Sequence, residues 1–559
     1  MNETSSAVER GGSFVCLAAA AGLLLLPLAN PDIFWHLSAA RWMVSHGAWP
    51  RADWLSHTKA GMPWADFEWL AQLLHYGVYR SGGLDALWLL KGILVGASGW
   101  ALWRLLAVCG AGLLGRGLGV LAWLLVSPTA NDLRPENFSM LFFFLLVRRL
   151  EERRAGDAPE VTPRALASIA GLFILWANLH AGFVYGLGLL ALYGTAAAHR
   201  ARQVRPLVPL AAAALAVLVN PYGPGVYAVP WQHWREIAEL KTYILEWQEA
   251  SVLSPWLAPF WATMVTAFVA LGVRRFRTKE APIEHAGLLG VLAWSAASHI
   301  RTSPYFSAAA VPVIASACVV ALPPKARRAG VWLGAIAAVA FTVSQYGSEF
   351  AGGVGGFDPM YVPERAADFL TKERDAFTGK RLYNPWHWGG YLGWRLDGAV
   401  PVFVDGRYIF HDLLKGIYAA PNSAQAYGAF LSSHRIEASI IQRQPQFTAM
   451  PVTLKSGEER QLLRPFYVFY YPRTDWALVY WDEKALIFVR RDALGEDWIK
   501  AREFRWFRPD DLSAAALAVS EKDAAFSELA GEVNRWAASA QPDMARTAKG
   551  WLADVARAP

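Results

Sequence analysis

Eleven apolar stretches of 15 to 25 residues run through the first 346 positions, separated by short polar connections. They fall at 13–30, 84–108, 113–127, 136–150, 165–179, 181–198, 206–220, 256–273, 285–300, 304–322 and 330–346. Apolar runs of this length predict about eleven membrane helices. A straight span needs roughly 20 residues, so the shorter runs leave their boundaries open, and 165–198 also reads as a re-entrant hairpin.

The polar connections alternate in charge. Arg148, Arg149, Arg153 and Arg154, then Arg200, Arg202 and Arg205, then Arg274, Arg275 and Arg277, then Lys325, Arg327 and Arg328 all fall on one side. The positive-inside rule makes that side cytoplasmic. The opposite side receives the long 31–83 connection, the short turns 128–136 and 178–181, the 220–255 connection and everything after about 347.

From Gly352-Gly353-Val354-Gly355-Gly356 onward the long apolar runs stop and charge returns, the signature of a separate soluble domain. Helices are predicted at 363–372 and 422–433, and short strands at 381–383, 400–404, 439–442, 478–481 and 486–489. The Ala-rich end reads as two or three amphipathic helices. The expected fold is mainly α: a polytopic membrane helical bundle over 1–346 with an outer loop at 31–83, an α/β domain over 347–508, and a helical tail over 509–559.

Composition agrees, since 54% of residues are hydrophobic and only 18% charged, against roughly 25% charged in soluble domains. The 27 tryptophans suit the wet edge of a bilayer. The net charge of +7 sits in the arginine runs between spans and forms no single basic face, so no nucleic-acid partner is expected. Cys16, Cys109 and Cys318 lack paired spacing, which argues against disulfides and a zinc site. The first apolar run lacks small residues at both cleavage positions and is taken as a retained helix. No phosphate-binding Gly-rich loop, dinucleotide fingerprint or nucleophile elbow is present, which weakens energy-coupled transport and hydrolase readings.

After the first apolar run comes Pro31-Asp32-Ile33-Phe34-Trp35-His36, then Arg41-Trp42-Met43, His46-Gly47-Ala48-Trp49-Pro50 and Gly61-Met62-Pro63-Trp64-Ala65-Asp66-Phe67-Glu68-Trp69-Leu70. This ordered set resembles the first periplasmic loop of the GT-C glycosyltransferases, especially the protein mannosyltransferase and aminoarabinose transferase branch. The resemblance implies an inverting transferase that takes sugar from a polyprenyl phosphate on the outer face, with Asp32 as catalytic base. Two departures stand out: Ile33 replaces the second acid of the usual pair, and Phe67-Glu68-Trp69 replaces the usual Lys-Pro-Pro. Residue chemistry points the same way, because a hydroxyl acceptor needs a positioned proton acceptor. The alternative is that Asp32 only caps the helix starting near Phe34.

A leaving phosphate calls for positive charge. Arg134, Arg301 and Lys91 are the candidates, with Arg301 favoured because no acid neighbours it in sequence. The alternatives are pairing of Arg134 with Asp132 or Glu136, and snorkelling of Lys91 to the interface. His36, His180 and His299 form a second outward set, with His36 one turn beyond Asp32. No compact metal-ligand spacing occurs, so a divalent metal would need ligands from distant loops, and no other cofactor follows. Asp66 and Glu68 join His36, Lys91, Arg134, His180 and Arg301 as candidate substrate-binding residues. The Trp-rich stretch after Asn220 reads as interfacial anchoring or a sugar-stacking surface. In the soluble domain, Val402-Phe403-Val404-Asp405-Gly406-Arg407 reads as a strand ending in a carboxylate and a guanidinium, or as an ordinary turn.

The reading is a multi-pass glycosyltransferase of a bacterial inner membrane with its C-terminal domain in the periplasm. Its partners are a polyprenyl-phosphate sugar donor, a glycan, lipid or protein acceptor, and membrane lipid. Alternatives are a non-catalytic membrane assembly or transport component, and a glycan polymerase or ligase.

Overall fold

The computed structural model describes residues 3–127, 131–156 and 161–557. Residues 128–130 of the expected outer turn, and 157–160 of the connection after the fourth apolar run, lie outside the described residues. The chain divides into two compact units. One comprises Met1–Arg51 and Trp64–Asp358, and the other Ala52–Pro63 and Pro359–Pro559.

The first unit is helical: α1 (Glu3–Leu25), α2 (Asp32–His46), α3 (Trp69–Val108), α4 (Leu113–Val126), α5 (Glu136–Ala155), α6 (Pro163–Leu179), α7 (Phe183–Ala201), α8 (Val208–Ala216), α9 (Ala228–Tyr243), α10 (Ala258–Thr278), α11 (Ile283–Ser298), α12 (Ser303–Ala321) and α13 (Pro324–Tyr346). Each predicted apolar run overlaps a helix, yet the expected eleven spans must be corrected on length. Among the described residues, five helices are long and apolar enough to cross a membrane: Ala7–Leu25, Trp69–Val108, Pro255–Thr278, Ile300–Ala321 and Pro324–Tyr346. Leu113–Val126, Pro163–Leu179 and Arg205–Ala216 are apolar but short. Polar punctuation is the reason. Asn220-Pro221 closes the run containing α8, and Arg148 to Arg154 charge the last turns of α5.

The bundle packs around α12, whose residues from Ser303 to Val313 are all buried. Its small residues let neighbouring backbones approach, as in membrane bundles generally. Gly119 of α4 shows how close: a Cβ there would stand 2.5 Å from Leu106 and 3.0 Å from Val311. α3 bends at Gly82–Gly83, where Gly83 takes φ +65° and ψ −148°, so a loop helix leads into the span expected from residue 84. In α2, Ile33 through Ala40 are all buried.

The second unit carries a four-stranded sheet in the order β1-β2-β6-β5, with β1 at Leu382–Tyr383, β2 at Ala438–Gln442, β5 at Trp476–Trp481 and β6 at Ala485–Arg490. β1 and β2 run parallel, and the other neighbours are antiparallel. A separate hairpin pairs β3 (Phe447–Thr453) with β4 (Glu459–Pro465). The strand expected at 400–404 does not form. That segment makes a single bridge, Val402 to Ser56, alongside bonds from His57 N to Val402 O and from Val402 N to Leu55 O. Thus residues 52–63, expected within the membrane domain's outer loop, fold as part of the second unit. The tail forms helices Leu512–Ser520, Phe526–Ala537 and Pro542–Arg557. It is integrated with the preceding residues: Glu532 accepts the backbone N–H groups of Arg505, Trp506 and Phe507, and Trp536 stacks on Trp481 at 4.4 Å.

Candidate active site

Asp32 opens α2. The residue at the N-cap position is Pro31, and no side chain caps the helix, so the capping alternative for Asp32 loses its basis. Its N–H is instead fixed by the Asn30 side-chain oxygen at 3.0 Å. Asp32 stands within electrostatic reach of both Glu68 and Arg134.

Glu68 immediately precedes α3 and lies between two imidazoles. Its Oε2 is 3.9 Å from His36 Nδ1, and its Oε1 is 3.7 Å from His180 Nε2. These separations exceed hydrogen-bond length, so the three groups face one another across a narrow gap. Only 12% of the Glu68 side chain is exposed. Burial, reinforced by the Asp66 charge, pushes its carboxyl well above the ordinary range. Asp66 itself accepts from Gln72 Nε2 at 2.6 Å, which pins the start of α3.

His180 is held by α5 and by the turn into α7. Trp176 Nε1 donates to Ser139 Oγ at 2.7 Å, and Ser139 Oγ lies 2.8 Å from His180 Nδ1. Gly182 N–H also donates to Nδ1, at 3.0 Å. Nδ1 is therefore an acceptor, and in a neutral imidazole the proton then sits on Nε2, the atom facing Glu68. Burial and the Arg301 charge hold the His180 pKa down at about 3, and burial with His75 keeps His36 well below its usual value. Burial thus favours the neutral form of both rings. A side chain at Gly182 would meet Ser139 Oγ at 2.3 Å and Tyr305 Oη at 2.6 Å.

Arg134 and Arg301 converge on one carboxylate that the sequence reading did not single out. Arg134 Nη2 and Nη1 lie 2.6 and 3.1 Å from Glu246 Oε1 and Oε2, and Arg301 Nη1 lies 2.7 Å from Oε2. Arg301, favoured as unpaired, is thus paired in space. Arg134 does not use Asp132, which instead accepts the backbone N–H groups of Ala29 and Asn30. Burial alone would raise Glu246, but Arg134 and then Arg301 hold it at about 2. The Trp247 ring carries the Arg301 guanidinium at 5.7 Å. A lone acid inside Leu245-Glu246-Trp247 was the available signal, but its partners lie 112 and 55 residues away.

Lys91 does not join this cluster. It is fully buried instead of snorkelling, and its Nζ donates to the Leu26 carbonyl just beyond α1, which also accepts from Trp88 Nε1 at 3.1 Å. His299 meets Trp247 edge-on at 6.0 Å, with its Nδ1 set on Ser295 O at 3.1 Å. Among the described residues, no group of three or more His, Cys, Asp or Glu has the arrangement to hold a metal ion. In the second unit, Asp405 and Arg407 are buried and present no sheet-edge ligand site. Arg407 Nη2 lies 2.7 Å from both Asp405 and Asp53.

No protein-family model matches the sequence, and no curated protein matches it. Solved structures share its fold. The oligosaccharyltransferase of Archaeoglobus fulgidus in its apo form matches with TM-score 0.52 at 10% identity, over 91% of this chain and 83% of that one. AglB, the archaeal oligosaccharyltransferase from the same organism in complex with an inhibitory peptide and a dolichol-phosphate, matches with TM-score 0.53 at 10% identity, over 84% and 79%. The chain therefore shares the overall fold of these archaeal oligosaccharyltransferases.

Proposed function

We propose that this protein is an inverting membrane glycosyltransferase that moves a sugar from a polyprenyl-phosphate carrier to an acceptor hydroxyl. The observation that carries the reading is the gathering of Asp32 and Glu68 beside two arginines that share a single carboxylate. The fold likeness to AglB, bound there to a dolichol-phosphate, supports it.

In this scheme Asp32 accepts the acceptor's proton as its oxygen bonds to the sugar C1. The C1–O bond to phosphate breaks with its electron pair leaving on the phosphate. Arg134 and Arg301 receive that charge in exchange for Glu246, because preorganised guanidinium groups stabilise developing anionic charge in a water-poor site. Glu68, with neutral His36 and His180, orients the acceptor. The alternation of arginine-rich connections supports a second unit facing the periplasm of a bacterial inner membrane.

The test is transfer from a synthetic polyprenyl-phosphate sugar in nanodiscs, guided by mass spectrometry of glycans and lipid carriers in a deletion strain. Donor consumption with release of free polyprenyl phosphate is the expected result. Unchanged glycans and no donor turnover would overturn the reading.

A further inference from the structure

A groove of about 1080 Å³ runs along α4, α10, α12 and α13, reaching from the end of the helical unit that carries the arginine runs to Ala258 at the start of α10. Its wall is mostly apolar, with Ala122, Ala262, Val311, Ile314 and Phe341 among its residues, and Thr263 and Thr266 of α10 are polar members of it. Along α4 it extends from Gly112 to Leu125, a rise of about 20 Å at 1.5 Å per residue. One leaflet of a bilayer contributes about half of the roughly 30 Å hydrocarbon core, so the groove is long enough for a full acyl chain.

The rim is charged at one end only. Lys325, Arg327 and Arg328 line that end with Glu9. Glu9 answers Arg328 at 2.7 Å, and Arg327 reaches only the Val319 carbonyl, at 3.4 Å. Two positive charges therefore exceed the local acid. This end belongs to the side assigned as cytoplasmic, and basic pockets between membrane helices on that side are suited to anionic lipid headgroups.

We propose that this groove is a binding site for an anionic glycerophospholipid of the cytoplasmic leaflet. Its acyl chain lies against α4 and α10, and its phosphate lies on Lys325 and Arg327. The charged rim follows the C-terminal end of α12, whereas Arg301 of the outer cluster precedes its N-terminal end. The lipid fills a gap that the small residues of α4 and α13 would otherwise leave open.

The test uses the full chain reconstituted in nanodiscs with equal phosphatidylglycerol and phosphatidylethanolamine, released into mild detergent and weighed by native mass spectrometry. Wild type retains phosphatidylglycerol preferentially. Lys325→Gln with Arg327→Gln lowers that preference by roughly tenfold or more. Ala262→Phe with Thr266→Phe, which fills the groove from the exposed face of α10, abolishes retention while thermal unfolding stays cooperative. Three results would overturn the proposal: equal retention of the two lipids, retention undiminished in the filled variant, or polyprenyl phosphate as the retained lipid when it is included.

Discussion

Exchanging Asp32 for Asn separates proton acceptance from placement, since the amide keeps the size of the carboxylate and α2 has no side-chain cap to lose. Turnover should fall roughly 10²–10⁴-fold with thermal stability unchanged, measured as sugar transfer beside a melting curve. Full transfer by the Asn variant would shift the role to Glu68. The arginine pair makes opposed predictions. Arg301→Ala should weaken donor binding by about tenfold or more, since a charge-assisted contact is lost, whereas Glu246→Gln should tighten it by removing the competing anion. Titration of donor against both variants decides this. Glu246→Gln should also cost stability, discounted from the about 3–5 kcal/mol of a fully buried pair because Arg301 remains 37% exposed. The sign with pH follows from a carboxylate held at about 2, against roughly 4.3 in an unfolded chain. Its contribution is complete above about 4.3 and is lost as pH falls toward 2, and the Gln variant should lack that dependence. At this scale the sequence displayed types well and partners poorly. Asp32, His36 and Glu68 stood out because they share one loop. Glu246 did not, because its meaning depends on arginines brought in from two other helix ends.

Local geometry at the glycines makes the predictions at the scale of elements. Gly83 turns the loop helix into the span of α3 with φ +65° and ψ −148°, a region that is essentially glycine's own. Gly83→Ala should cost about 1–3 kcal/mol, visible as a lowered melting temperature. Gly182→Ala should instead act on activity, because its Cβ would collide with Ser139, which holds His180. The readout is kcat relative to KM, with a melting curve as the control for folding. Helices were legible because apolar runs must be satisfied by internal hydrogen bonds wherever they meet lipid. Strands were less so. β2, β5 and β6 are buried apolar runs and were anticipated, whereas β3 and β4 are exposed on both faces and carry no alternation to read. The run at 400–404 is just as apolar, but it is buried against residues 52–63 without a ladder, which no local pattern encodes.

For the whole molecule, the arginine alternation predicts which loops face which way. Alkaline phosphatase fused after Ser127 or Gly356 should be active, and after Arg154 inactive. An inactive fusion after Gly356 would remove the second unit from the side proposed for catalysis. The composition of that unit makes the final prediction. Residues 52–63 precede the rest of it by some three hundred positions, yet Asp53 is fully buried against Arg407. Asp53 also accepts the Leu55 and Ser56 N–H groups and the Ser56 hydroxyl, at 3.2, 3.2 and 2.6 Å. Arg407 therefore has a carboxylate on either side, one from its own segment and one from the first outer loop. Removing one partner of a buried charge pair typically costs about 3–5 kcal/mol, because the other charges stay buried. At roughly 2–4 °C per kcal/mol for a domain of this size, Arg407→Met should lower the melting temperature by about 6–20 °C. The more specific measurement uses the fragment 359–557 alone. Without residues 52–63 its Arg407 keeps Asp405 but lacks Asp53, so it should unfold early and be stabilised by an added 52–63 peptide. A peptide carrying Asp53→Asn should not stabilise it, because a neutral amide cannot complete the charge balance around the guanidinium. Equal stabilisation by both peptides would show that apolar contacts such as Leu55 against Gly393 suffice, and that the ion triad does not couple the loop to the domain.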